Sequence, residues 1–212
     1  MIGLMYKDMM LATLNGKSLL IILLIMLIPF ITSGSTTMIT TIPMIMTLLL
    51  TMTMFAYDNL NKWDRYAMVL PLTDGQVVAS RYAVAYGLWL ATTILGIVVS
   101  VISQSVSKTM ETTIGNTIWG VVTSGLAIAV MLAIIIPLIY KFGAEKGRII
   151  IMVIILLPTV IIQIIKPDVA SLLEHRMDMD SISSILAPVA LVAIALSFFV
   201  SVRIYEKKDY FS

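Results

Sequence analysis

The fold class of this chain is decided by residues 18–57, which read SLLIILLIMLIPFITSGSTTMITTIPMIMTLLLTMTMFAY. These 40 residues contain no Asp, Glu, Lys or Arg. A charged side chain at the centre of a bilayer costs roughly 2.5–3.5 kcal/mol, so long charge-free runs indicate membrane spans. One spanning helix needs about 20 residues, and Ser33-Gly34-Ser35 is a turn signal inside the run. The run therefore predicts two spans, at about 18–33 and 36–57.

The whole chain shares this apolar character. It has 212 residues, of which 12% are charged and 59% are apolar, with a mean hydropathy of +1.02. A soluble domain carries about 25% charged residues, and half that amount is too little to cover a water-exposed surface. The composition excludes a soluble enzyme and a disordered chain, and the net charge of +2 is too small for a nucleic-acid-binding protein. The absence of cysteine excludes disulfides and thiolate chemistry.

Later charge-free runs predict four further spans. We therefore expect an all-α polytopic membrane protein with six transmembrane helices, forming a single permease-like domain over residues 1–212. The third to sixth predicted spans are about 82–107, 112–140, 149–165 and 181–202.

The positions of the basic residues predict the orientation. Eleven of the 14 Lys and Arg residues lie in the N-terminal segment, in the loops after the second and fourth spans, and in the C-terminal tail. Cytoplasmic segments carry the excess of Lys and Arg in membrane proteins. This distribution predicts that both termini lie in the cytoplasm, which agrees with an even number of spans.

The N-terminal segment, residues 1–17, shows helical periodicity. Ile2, Met5 and Met9 recur at helical spacing, and we expect Lys7 and Asp8 on the wetter side. The pattern predicts an amphipathic helix at the membrane interface. A cytoplasmic extension of the first span is the alternative interpretation.

The sequence offers no residues for catalysis. Residues 16–18 read Gly-Lys-Ser, the end of a phosphate-binding loop, but Leu11 stands where that motif needs a glycine. The predicted spans hold no ionisable side chain that could couple a proton or an ion. The single histidine, His175, lies between Glu174 and Arg176 in a predicted outer loop. We expect no catalytic residue, metal site or cofactor in this chain.

The longest predicted cytoplasmic loop, residues 58–81, carries three acidic and three basic residues. An apolar stripe predicts a short amphipathic helix in this loop. Two interpretations fit this helix. It could dock another protein, since aromatic residues and Arg dominate interface hot spots, or it could lie on the lipid headgroups with its tryptophan as an anchor. The stripe consists of Leu60, Trp63, Ala67 and Leu70.

The end of this loop has clear stop and start signals. Pro71 ends the short helix near Leu70, because proline disfavours helix in the residue before it. Thr73 or Asp74 is expected to cap the next helix, which continues into the third span.

The same loop carries a family resemblance. The stretch Lys62-Trp63-Asp64-Arg65-Tyr66, followed by Leu70-Pro71 and then by Ser80-Arg81-Tyr82, resembles the compact six-span permeases of the ABC type-2 exporter family. The likeness extends over essentially the whole chain. Within that family, the sequence is most similar to permeases of peptide-toxin exporters, such as the phenol-soluble-modulin exporter.

The resemblance implies partners and a coupling site. Such permeases form homodimers or heterodimers, and they recruit two copies of a separate ABC ATP-binding subunit that binds ATP and Mg²⁺. The loop between the second and third spans carries a coupling helix that enters the ATPase, and the resemblance places this helix at about residues 58–70 here. A short outer helix is expected at about 167–178. The coupling residues carried over to this chain are Asp58, Lys62, Trp63, Asp64, Arg65, Tyr66, Leu70 and Pro71.

These observations together predict a transport subunit that is not itself an enzyme. We interpret the chain as the permease of an ATP-driven exporter in the plasma membrane, moving an amphipathic or hydrophobic cargo such as a peptide or toxin. The neutral spans rich in Thr and Met suit such a cargo. The alternative is a membrane scaffold, or an immunity or sensor protein, that transports nothing.

Overall fold

The structure of the protein, a computed structural model, describes residues 2–14, 36–67, 69, 71–106, 114–164 and 179–207. Every regular element within these ranges is an α-helix, so the predicted all-α class is confirmed there. The helices are α1 (Ile2–Leu14), α2 (Thr36–Leu60), α3 (Trp63–Ala67), α4 (Asp74–Val106), α5 (Ile114–Ile164) and α6 (Met179–Glu206).

Three helical segments in the described ranges are long and apolar enough to cross a membrane. They are Asp74–Ile102, Ile114–Gly147 and Leu186–Glu206, and they overlap the third, fourth and sixth predicted spans. Helix α2 covers the second predicted span, and the fifth predicted span is helical as far as Ile164.

Two predicted elements fall outside the described ranges. They are the first span, at 18–33, and the outer helix, at 167–178. The six-span topology and the cytoplasmic position of both termini therefore stay predictions.

Helix α5 is broken at Gly143, between the fourth and fifth predicted spans. Gly143 has φ 80° and ψ 167°, a backbone conformation that is essentially restricted to glycine. A Cβ atom placed there would lie 3.7 Å from Asn59 Nδ2, which is ordinary contact, so the conformation and not the space requires glycine. Where the sequence predicts a loop, the structure has a helix with a one-residue break.

The helices share one hydrophobic core. Helix α5 packs most extensively against α6, while α4 contacts α1, α2, α5 and α6. The central side chains of the core come from all five long helices. They are Leu4, Leu48, Phe55, Val77, Val78, Tyr82, Ala85, Leu132, Ile135, Ile136, Ile139, Tyr140, Ala144 and Tyr205.

Large apolar side chains also point away from this core along α4 and α6. Such outward faces are expected of membrane-spanning helices, which can bury them in lipid or against another subunit. They are lined by Leu90, Ile94, Leu95, Val98 and Ile102 on α4, and by Leu191, Val192, Leu196 and Phe199 on α6.

The predicted single helix over residues 58–70 is wrong in its bounds. Helix α2 continues to Leu60, and a turn at Asn61 and Lys62 separates it from the five-residue helix α3. Lys62 adopts a positive φ of 50°, which ends the helix because L-residues cannot continue a right-handed helix from there. Leu60 is exposed whereas Ala67 is buried, so the predicted apolar stripe is divided between two helices.

Helix α4 begins where the sequence predicts, at Asp74. Its backbone hydrogen bonds show which of the two predicted residues, Thr73 or Asp74, is the N-cap. The carbonyl oxygen of Thr73 accepts hydrogen bonds from the N–H groups of Gln76 (2.8 Å) and Val77 (3.2 Å). In return, Gln76 Oε1 accepts a hydrogen bond from the Thr73 N–H at 3.4 Å. A Gln side chain that returns to the cap N–H is the pattern of a capping box. Thr73, rather than Asp74, is therefore the N-cap.

Candidate functional site

Four charged side chains from three helices meet at one end of the bundle, beside α3. They are Lys7 and Asp8 on α1, Asp58 on α2 and Arg81 on α4. Asp8 is 1% exposed, Asp58 and Arg81 are each 6% exposed, and only the Lys7 side chain, at 24%, is open to water. Charged residues are seldom buried to this degree unless they are paired. We call these four residues the charged quartet.

Each acidic residue of the quartet lies between two basic ones. Lys7 Nζ is 3.0 Å from Asp58 Oδ1 and 3.2 Å from Asp8 Oδ1. Arg81 Nη1 is 3.3 Å from Asp8 Oδ1, and Arg81 Nη2 pairs with Asp58 Oδ2. Two acids and two bases make the quartet formally neutral. Mutual pairing of this kind offsets the cost of removing the charges from water.

Lys7 connects the quartet to helix α3. Its Nζ lies 3.9 Å from the ring centroid of Trp63, the first residue of α3. A cation over a tryptophan face is attracted by the negative charge of the ring, and partial burial strengthens this attraction. Lys7 therefore contacts α2 and α3 at the same time, from its position on α1.

Arg81 connects the quartet to the aromatic part of the core. Its guanidinium carbon lies 5.1 Å from the ring centroid of Phe55. Phe55 meets Tyr140 edge to face at 5.1 Å, and Tyr140 meets Tyr205 in the same way at 5.7 Å. The chain of contacts therefore continues from the quartet into α5 and α6.

The structure separates the predicted coupling residues into buried and exposed groups. Asp58 belongs to the quartet, and Trp63 is half-buried beneath Lys7. Lys62, Tyr66 and Pro71 are exposed.

The other predicted coupling residues are described less fully. Asp64 and Arg65 lie in α3, but their side chains are not among those the structure describes, and Leu70 lies outside the described residues.

Three members of the quartet were not predicted as site residues: Lys7, Asp8 and Arg81. The expectation that Asp8 lies on a water-facing side of the N-terminal helix is wrong, because Asp8 is almost completely buried. The available signal was a pair of opposite charges inside an otherwise apolar helix. Another such signal was a basic residue placed just before a predicted span.

A second polar arrangement lies deeper in the bundle, around Tyr82. The Ser197 hydroxyl donates to the carbonyl oxygen of Ala133 at 2.5 Å, so its oxygen accepts from the Tyr82 hydroxyl, also at 2.5 Å. Tyr82 has then used its proton and accepts from Ser201 at 2.8 Å. This chain of hydrogen bonds joins α4, α5 and α6 without any charge.

Two further aromatic residues of α4 extend this arrangement along α5. The Tyr86 hydroxyl donates to the carbonyl oxygen of Ala129 at 3.1 Å, and Trp89 Nε1 donates to that of Gly125 at 2.7 Å. Together with Ala133, these acceptors recur every four residues on one face of α5. Small residues at this spacing let the two helices approach closely. We call Tyr82, Tyr86, Trp89, Ser197 and Ser201 the neutral ladder.

The chemistry of these two arrangements favours mechanical linkage. In the described parts of the chain, no group of three or more His, Cys, Asp or Glu residues is placed to hold a metal ion. Both carboxylates of the quartet are engaged by cations, and the neutral ladder contains no charge. The quartet therefore fixes helices relative to one another and leaves the outer side of α3 open.

Comparison with known proteins identifies the family of the chain. Residues 3–206 match the family model described as "ABC-2 family transporter protein". No curated protein and no solved structure gives a significant match. The match covers nearly the whole sequence, and it does not distinguish peptide-toxin exporters from other members.

Proposed function

The chain belongs to the ABC-2 transporter family and is a membrane-embedded permease subunit of an ABC transporter, and we propose that it exports an amphipathic or hydrophobic cargo, such as a peptide toxin. Membership in this family implies association with an ABC ATP-binding subunit. ATP and Mg²⁺ are assigned to that partner, and this chain contributes no catalytic residue.

The exposed position of α3 is the observation that supports docking of the partner on this helix. Three large side chains around this short helix point outward: Leu60 just before it, Tyr66 within it and Val69 just after it. Their exposed fractions are 75%, 65% and 85%. These side chains surround a helix at the end of the bundle, in a segment predicted to be cytoplasmic. An apolar, aromatic surface facing water suits a protein partner better than solvent.

The contacts of α3 supply a route from the docked partner to the membrane. Movement of α3 acts on Trp63, which contacts Lys7, and Lys7 is paired with Asp58 at the end of α2. Asp58 is paired in turn with Arg81 near the start of α4. Both α2 and α4 continue into predicted spans, so displacement of the quartet moves two spans together.

The cargo proposal is supported by the uncharged character of the spans. The described outer faces of α4 and α6 are apolar, and two permease copies paired as a homodimer would enclose a neutral path. The buried threonines of α2 serve packing instead. Thr47 Oγ1 lies 2.9 Å from Thr92 Oγ1, and Thr51 Oγ1 donates to the Thr47 carbonyl at 2.8 Å. A heterodimer is the alternative assembly.

The proposed topology has six spans in the plasma membrane, with both termini and α3 in the cytoplasm. This arrangement puts the quartet and α3 on the side where ATP is available. It also requires residues 18–33 to form the first span.

The test is affinity purification of the tagged chain from its native membrane, with quantitation of the ATP-binding subunit that accompanies it. Tyr66→Ala removes an exposed aromatic side chain from α3 without disturbing the buried quartet. Truncating an interface hot spot costs about 2 kcal/mol, or about thirtyfold in affinity, so we expect the partner to be lost.

The matched control is Tyr6→Ala, which removes a tyrosine of similar exposure from α1 and should leave the partner bound. Equal recovery of the partner with both variants would disprove docking at α3. Two results would instead favour the scaffold or sensor function. One is a chain that purifies without any ATP-binding subunit, and the other is a partner whose ATPase rate does not change when cargo is added.

A further inference from the structure

We propose that Lys7 is a positioning residue that holds helix α3 against the bundle, and we call this contact the clasp. Through Lys7, the N-terminal helix α1 then helps to position the helix on which the partner docks. The meaning of this clasp for transport rests on the proposed function. The clasp itself is a statement about how α3 is held, and it can be tested without the partner.

Helix α3 needs such a clasp because it cannot stabilise itself. It contains five residues, far below the length at which an isolated helix forms in water. It follows the turn at Lys62, whose positive φ breaks the path of α2. Its position is therefore set by contacts of its side chains, and the described inward-facing ones are Trp63 and Ala67.

Lys7 is suited to this role by the number of its partners. Its Nζ lies within 3.9 Å of the Trp63 ring centroid, 3.0 Å of Asp58 and 3.2 Å of Asp8. It thus joins α3 to α2 from a third helix.

Lys7 is also the member of the quartet that can be released most easily. Its side chain is 24% exposed, whereas Asp8 is 1% exposed. If Lys7 moves out into water, Asp8 and Asp58 both stay paired with Arg81. This buried group of three residues then carries one excess negative charge. Release of Lys7 would uncover the face of Trp63 and free α3, while α2 and α4 stay linked through Arg81.

The absence of cysteine in the chain makes the experiment direct. Ala67→Cys places a small thiol on the buried side of α3, where the native residue is 4% exposed. The rate of maleimide labelling in purified protein then reports how often α3 lifts from the bundle. With Lys7→Met added, we expect labelling about tenfold faster or more, because a partly desolvated cation–π contact and an ion pair are lost.

The matched control is Lys141→Met in the same Ala67→Cys background. Lys141 is an exposed lysine whose Nζ lies 5.2 Å from the ring centroid of Phe142, so it also makes a cation–π contact, but with a ring of α5 and not of α3. We expect this variant to label at the original rate. Lys7→Arg, which keeps the charge, should restore most of the protection.

An unchanged labelling rate in Lys7→Met overturns the proposal. Global unfolding is detected by Ala190→Cys, since Ala190 is 2% exposed on α6 and must stay protected. If Lys7→Met exposes both sites, the double variant Lys7→Met/Asp58→Asn decides the matter, because it removes Lys7 while Asp8 and Arg81 remain as a neutral pair. Faster labelling of Ala67→Cys alone in this double variant supports the clasp, and an unchanged rate overturns it.

The labelling outcome is independent of the ATP-binding subunit. If no such subunit purifies with the chain but Lys7→Met frees α3, the proposed function fails and the clasp stands. If the subunit is recovered and labelling does not change, the clasp fails and docking stands.

Discussion

Helix α4 holds two buried polar arrangements of opposite character, and two adjacent residues begin them. Arg81 turns toward α1 and α2 and joins the charged quartet, whereas Tyr82 turns toward α5 and α6 and joins the neutral ladder. Both arrangements connect three helices. The first uses ion pairs at the end of the bundle, and the second uses hydroxyl, indole and carbonyl groups further along α4.

The difference agrees with position along the helices, because the quartet lies at the end of the bundle and the neutral ladder runs from Tyr82 to Trp89, toward the middle of the candidate span Asp74–Ile102. Charges are very costly in the hydrocarbon, but they are tolerated near its edge, where long side chains reach water and headgroups. Deeper in the bilayer, neutral hydrogen bonds between helices add roughly 0.6 kcal/mol each and at most about 1.7 kcal/mol. The links that are costliest to break therefore lie beside α3, where a partner would act on them.

The largest expected effect comes from Arg81→Met, which tests whether the charged arrangement is the costlier one to break. The substitution leaves Asp8 and Asp58 buried with only Lys7 to neutralise them. Removing one partner of a buried ion pair costs about 3–5 kcal/mol, so thermal unfolding in detergent should shift strongly to lower temperature. Arg203→Met, at an exposed arginine of α6, is the control. Equal melting temperatures for these two variants would contradict the quartet's role.

A smaller effect is expected from Tyr82→Phe, which interrupts the neutral ladder at its centre. The ring stays in place against Tyr86 and Phe198, and only the hydroxyl shared by Ser197 and Ser201 is lost. We expect a destabilisation of about 0.6–1.7 kcal/mol, measured by the same unfolding experiment. Tyr6→Phe removes a hydroxyl from an exposed ring and should change nothing. A loss as large as that of Arg81→Met would overturn the ranking of the two arrangements.

The smallest effect should come from Trp89→Phe at the deepest described step of the ladder. This change removes one N–H group that donates to the carbonyl oxygen of Gly125. That oxygen lies within helix α5, where it can also accept a hydrogen bond from the helix backbone, so the variant does not leave it unpaired. We therefore expect a destabilisation of about 0.6 kcal/mol. The exposed Trp119 supplies the control, Trp119→Phe. A destabilisation greater than that of Tyr82→Phe would show that the ladder gains strength with depth.

Local sequence signals located much of the fold but only part of the site. The charge-free runs predicted helices where α2, α4, α5 and α6 occur, and Thr73 was one of two predicted caps for α4. The apolar stripe at Leu60 and Ala67 was misleading, because the same spacing arises when two short apolar segments on separate helices follow one another. Trp63 and Tyr66 were predicted as coupling residues, and the structure leaves Trp63 half-buried and Tyr66 exposed.

The sequence by itself determined that this protein is a helical membrane protein. Span prediction sums hydropathy over neighbouring residues, and 12% charged residues leave long runs that no soluble fold could expose. Tertiary structure alone decided which charges become buried partners. Lys7 and Asp58 are 51 residues apart in the chain, and no local pattern records that packing of α1 against α2 and α4 brings them within 3.0 Å. An ion pair depends on the distance between two atoms, and only the packed helices fix that distance.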